Sequence, residues 1–177
     1  SGGLPDKDLK NRLSMALTTV KTFRDAWKHT GFNAKRKVEI HRAYVIGCAL
    51  YNLETLNLQY HHEQRLNYFH ARTLRQTLGC PSAYYSHVPN SDVFQCARTK
   101  PLSTIVRGAR LKLFGNVWRK EARLYPLRRM LFNTLEEPED VRVAIRGRLG
   151  QGMQYRRQST WITNALKDAL DLRRAGH

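Results

Sequence analysis

The chain has 177 residues and carries 31 Lys+Arg against 14 Asp+Glu, a net charge of +17. Hydrophobic residues make up 41% and aromatics 10%, enough to bury a core, so global disorder is excluded and the length fits one domain or one domain with an extension. The longest apolar stretch, Ala43–Tyr51, is too short to cross a bilayer, and the reading expects no membrane partner. Three cysteines are too few and too odd in number for a disulfide-stapled domain, which points to a reducing, intracellular compartment, the nucleus or an organelle such as the mitochondrion. The opening Ser1-Gly2-Gly3 reads as a cut edge or a tag scar.

In chain order, Asp6 or Asp8 is expected to cap a first helix. Its apolar stripe runs Leu9, Leu13, Ala16, Leu17, Val20, Phe23, Ala26 and Trp27, ending at Gly31. Asn33 is expected to cap a second helix, apolar nearly all round from Val38 to Leu53 and therefore central and buried, with a turn near Asn57. A third helix is predicted over Glu63–Leu78, with Leu66, Phe69, Leu74 and Leu78 inward and Gly79-Cys80-Pro81 as its stop. A loop-rich stretch then leads to a short helix opened by Ser91-Asp92. Pro101 precedes a helix over Leu102–Val117, the acidic Glu136–Asp140 suits a helix start at Val141, and Gly147–Gly152 reads as a linker. A terminal helix is predicted over Ser159–Arg174. No β-run is visible, so the fold class is all-α. The expected domains are a three-helix bundle over 1–79, a basic connector over 80–133 and a helical extension over 134–177. Trp27, Tyr44, Tyr51 and Phe69 are read as core, and Tyr84-Tyr85 as open to contact.

The sequence supports no catalytic constellation. There is no adjacent Asp pair for a two-metal site, and Glu136, Glu137, Glu139 and Asp140 read as a solvated helix start. Cys80, His87 and Cys96 lie seven and nine apart, without a CxxC or HxxxH, and His61-His62 with His70 is no better. No GxSxG elbow occurs, and Gly147, Gly150 and Gly152 lack the strand and the GK[ST] of a phosphate-cradling loop. No enzyme, metal or cofactor is expected.

The charge is uneven. Between Arg98 and Arg129 ten basic residues face a single acid, Glu121; between Val141 and His177 eight face two. A polyanion is the natural partner of such an excess, and guanidinium forks bind phosphate bidentately. The block Arg107, Arg110, Lys112, Arg119 and Lys120 cannot all face a core and is the expected phosphate-binding side. Lys35, Arg36 and Lys37 oppose the dipole at a helix start, which hints at a bound polyanion. Arg75 is placed either on a phosphate or on an acid such as Glu63. Arg156 and Arg157 beside Tyr155 could join phosphate pairing to base stacking.

Four stretches in order resemble non-LTR retrotransposon (LINE-type) reverse transcriptases just after the palm. Lys37, Ile40, His41, Ala43, Val45, Leu50, Tyr51, Glu54 and Thr55 fall on the first motif, with Asn52 where Gly is usual and Leu56 where Trp is usual. Leu66, Phe69, Leu74, Arg75, Leu78 and Gly79 fall on the second, and His87, Val88 and Asn90 on a following loop. Arg107, Arg110, Leu111, Phe114, Gly115, Asn116, Val117 and Arg119 meet a basic block, and Arg12, Ala16, Phe23 and Trp27 resemble the helix leading in. The resemblance implies a helical thumb and connector that grips an RNA or RNA–DNA duplex, without the palm and its catalytic carboxylates. Two further roles stand beside it: a retroelement-derived structural subunit of a large ribonucleoprotein such as an organellar ribosome, in contact with its other proteins, and a fragment of an active RNA-directed DNA polymerase.

Overall fold

The computed structural model describes residues 4–28, 31–119 and 161–174, and these are helical with no strand among them. The chain divides into two compact units, Ser1–Val106 and Arg107–His177. The first unit therefore takes in the predicted bundle and the first part of the predicted connector.

In the first unit, α1 (Leu4–Thr22) and α2 (Arg24–Lys28) replace the single helix expected through Trp27. The break at Phe23 has a local cause: the hydroxyls of Thr18, Thr19 and Thr22 donate back to carbonyls four residues earlier, which loosens and bends a helix. Trp27 still reaches the core, and its indole N–H donates to the Val20 carbonyl at 3.1 Å. Asn33 caps α3 (Ala34–Ile40) as expected, its Oδ1 accepting from the Arg36 N–H at 2.8 Å.

The second predicted helix is less regular and less buried than its composition implies. After α3 the backbone passes through a π-helical turn, His41–Ile46, into the one-turn α4 (Gly47–Leu50). His41, Val45, Ile46 and Ala49 are buried, but Tyr44 is 57% exposed and Tyr51 76% exposed, so both tyrosines are corrected from core to surface. Only one side of this segment packs against α1 and α5. The chain first turns at Asn52, which takes a left-handed φ of 52° that Asn tolerates better than most side chains; a 3₁₀ turn follows at Leu53–Thr55, and the turn expected near Asn57 comes next, where the Leu58 N–H donates to the Leu56 carbonyl at 3.0 Å.

The helix α5 (Tyr60–Leu78) is the axis of the unit. Leu66 and Phe69 join a cluster with Leu9, Leu13, Val45, Leu102 and Val106, while Ala71 and Leu74 join Val93, Phe94 and Ala97. It starts three residues before the predicted Glu63, because the His62 ring turns back to accept the Gln59 N–H at 3.0 Å on Nδ1. It stops where predicted. Gly79 has φ 72° and the Cys80 N–H donates to the Arg75 carbonyl at 2.8 Å. Next come α6 (Ala83–Ser86), α7 (Asn90–Cys96) and α8 (Leu102–Arg119). The side-chain amide of Asn67 fastens the start of α8, accepting from the Ser103 N–H and donating to its hydroxyl, both at 3.0 Å.

The second unit contains the rest of α8 and α9 (Trp161–Arg174). Val117 and Ala165 are buried, and Phe114 lies near Trp118 and Trp161. The helix start expected at Val141 and the linker expected over Gly147–Gly152 fall outside the described residues.

Candidate nucleic-acid interface

A helix turns its side chains by about 100° per residue, and this divides the basic block of α8 into two sides. Lys112 and Arg119 share one side, while Arg107 projects about 130° and Arg110 about 170° away from them. Arg110 is 1% exposed, and its guanidinium donates to Asp168 of α9 at 3.0 Å. Arg107 is exposed and lies 3.8 Å from the same carboxylate. The expected phosphate contact at Arg110 is therefore corrected: a carboxylate 58 residues downstream takes that charge out of the surface. Lys112 and Arg119 are exposed, with Arg119 donating to the Asn116 side chain at 2.9 Å. Lys120, Arg156 and Arg157 lie outside the described residues.

At the start of α3 the three predicted cations also separate. Lys35 is exposed, Arg36 pairs with Glu39 at 3.1 Å, and the half-buried Lys37 donates to the Trp27 carbonyl. Lys37 thus ties α3 to the end of α2 and is corrected from a phosphate ligand to a structural link.

The face that sequence reading missed is on α5. Its buried side carries Leu66, Phe69 and Leu74; its outer side carries Arg65, Tyr68 and Arg72 within an arc of about 60°. Arg65 and Arg72 are exposed, and no carboxylate among the described residues lies within ion-pair distance of either. Tyr68 between them is 64% exposed. The signal was present as the spacing Arg-x2-Tyr-x3-Arg, in phase with the apolar stripe but opposite to it.

Arg75, one turn beyond Arg72, is 5% exposed. Its guanidinium donates to the Val88 carbonyl at 2.6 Å and to Asn90 Oδ1 at 3.1 Å. Neither oxygen is charged, and the expected acid partner Glu63 is not the one it takes. Beside it, α5 and the following loop line an open cavity of about 300 Å³, bounded by Tyr68, Arg72, Arg75, Gln76, Cys80 and Asn90 among others, with no carboxylate among the described residues of its wall.

The histidines have structural work. His41 and His70 are buried with their rings stacked 5.8 Å apart. The Thr73 hydroxyl donates to the Phe69 carbonyl at 3.0 Å, so it receives the His41 Nε2–H at 3.0 Å. Burial pushes His41 down to about 4, and burial with the neighbouring His41 pushes His70 down to about 3, so both rings are neutral at neutral pH.

Asp6, His61 and His62 bring three metal-type ligand atoms together. The hydrogen bonds argue for a staple between α1 and α5. His62 Nδ1 accepts from Gln59, so its proton sits on Nε2 and is donated to Asp6 at 2.8 Å. A metal on that nitrogen would move the proton to Nδ1, against the Gln59 N–H. The bond from His62 holds the Asp6 carboxyl below its ordinary range.

Comparison of the chain with protein-family models, with curated proteins and with solved structures finds no match. No helix among the described residues is long and apolar enough to cross a membrane.

Proposed function

We propose that the chain is a non-catalytic module that grips the sugar-phosphate backbone of RNA or of an RNA–DNA hybrid through Arg and Lys, in the manner of a retroelement reverse-transcriptase thumb. One observation carries the reading. The excess charge of +17 is not consumed among the described residues: on the outer face of α5, Arg65 and Arg72 are exposed, with no acid partner among those residues. Such a surface attracts phosphate by releasing counterions and reads no bases.

The conformation of Asn52 favours the thumb resemblance. It occupies the position where the family pattern has Gly, and it adopts the left-handed turn that glycine takes most readily. The departure in sequence is therefore compatible with the same backbone. The test is electrophoretic mobility of a labelled RNA–DNA hybrid and an RNA duplex with the full chain at several salt concentrations. Binding that ignores sequence and weakens steeply with salt supports the grip; binding that is absent, or indifferent to salt, ends it.

A further inference from the structure

Two guanidinium groups, those of Arg72 and Arg75, line one cavity. A buried guanidinium is costly to hold, and the ordinary remedy is a carboxylate within hydrogen-bond reach. Arg110 has that remedy in Asp168. Arg75, 5% exposed, bonds among the described residues to a backbone carbonyl and an amide oxygen and to no carboxylate. It lines an open cavity together with Arg72, and no acid among the described residues lines that cavity. The missing negative charge has a place to enter.

One aromatic ring lines the same cavity. Tyr68 lines it and is largely exposed; Ser82 and Ala83 form another part of its wall, and Tyr84 and Tyr85, both exposed, follow directly in α6. Along α5 the helical rise places Arg65 about 10 Å from Arg72, on the same face as Tyr68. Cations alternating with exposed rings along a groove suit a strand whose bases are free to stack; in a duplex the base faces are covered by their neighbours.

We infer that this cavity is a site for single-stranded nucleic acid, in which one phosphodiester lies against Arg72 and Arg75, a neighbouring base stacks on Tyr68, and the strand continues past Arg65. The inference rests on the backbone-binding reading above and narrows it: the preferred ligand of this face is a single strand.

The test uses the full chain and a labelled oligouridylate, with an RNA duplex as comparator, read by fluorescence anisotropy. Tyr68→Leu is expected to weaken oligouridylate binding about tenfold, within the range of one base–aromatic stack, and to leave duplex binding unchanged. Arg72→Ala is expected to weaken both and to lower the salt slope by about 0.7 for the single strand and about 0.9 for the duplex. Tyr68 and Arg72 are exposed, so neither variant threatens the fold. A second readout needs no variant. Cys80 lines the cavity and is exposed, whereas Cys96 is exposed without lining it. Bound oligouridylate should slow alkylation of Cys80 and not of Cys96.

Equal loss of single-strand and duplex binding in Tyr68→Leu, or no loss in either, overturns the single-strand site and leaves the general grip standing. Cys80 alkylation that inorganic phosphate slows as well as the oligonucleotide does reduces the site to a simple anion pocket and also overturns it. Failure of the unaltered chain to bind either nucleic acid removes both readings together.

Discussion

The outer face of α5 and the basic block of α8 contain the same kinds of residue and meet opposite fates. On α8 the basic block expected to bind phosphate loses Arg110 to Asp168, with Arg107 leaning toward the same carboxylate. On α5 a set of three, Arg65, Arg72 and the enclosed Arg75, has no acid in reach among the described residues. Local charge density therefore does not locate the cations free to bind a partner. What decides is where distant carboxylates fold to, and a chain with 14 acids against 31 bases has few to distribute.

The sharpest way to break this contrast is to remove the acid. Asp168→Ala leaves Arg110 buried and unpaired and should cost the second unit about 3–5 kcal/mol in urea unfolding, whereas Asp168→Ala with Arg110→Met should recover most of the loss. A cost below about 1 kcal/mol would mean that water already reaches the pair.

The first unit should in turn be the acid-sensitive one. His41 and His70 have folded pKa values lowered to about 4 and about 3, so the unfolded chain binds protons first. Their contribution to stability is complete above the ordinary histidine pKa of about 6.5 and is lost as pH falls toward those values, by up to about 1.4 kcal/mol per pH unit and per ring. His70→Phe should flatten part of that slope in a series of denaturant titrations from neutral to acid pH; an unchanged slope would assign the acid sensitivity elsewhere. The His70 Nδ1 has no hydrogen-bond partner, so the substitution removes no bond at that atom.

A smaller effect is expected at the start of α3. Asn33→Ala removes the bond to the Arg36 N–H and should lower stability by about 1 kcal/mol in thermal unfolding, with no change in nucleic-acid affinity. A fall in affinity without a fall in stability would instead bring Lys35 and Arg36 back as contacts.

Much of the fold was legible because its signals are local. The Asn33 cap, the Gly79 stop and the inward Leu66–Phe69–Leu74 stripe depend on neighbours within a turn or two, and the structure places them as read. The errors came where a distant partner decides. Tyr44 and Tyr51 are apolar enough for a core, but the π-helical turn and the one-sided packing of its segment leave them in solvent. Lys37 reads as a charge at a helix start until the Trp27 carbonyl folds against it. The excess of arginine announces a polyanion from the sequence alone, but only the fold shows Asp168 beneath Arg110 and a cavity beside Arg75 that no acid among the described residues lines.

The most direct measurement compares two double variants in one binding assay. Arg65→Ala with Arg72→Ala removes the outer cations of α5; Lys112→Ala with Arg119→Ala removes the exposed cations of α8. Oligouridylate affinity followed across salt concentrations should fall at least about tenfold in the α5 variant, with the slope of log affinity against log salt reduced by about 1.4, two contacts at about 0.7 each for a single strand. The α8 variant should lose less and keep most of the slope. Equal losses from the two helices, or a larger loss from α8, would contradict the account.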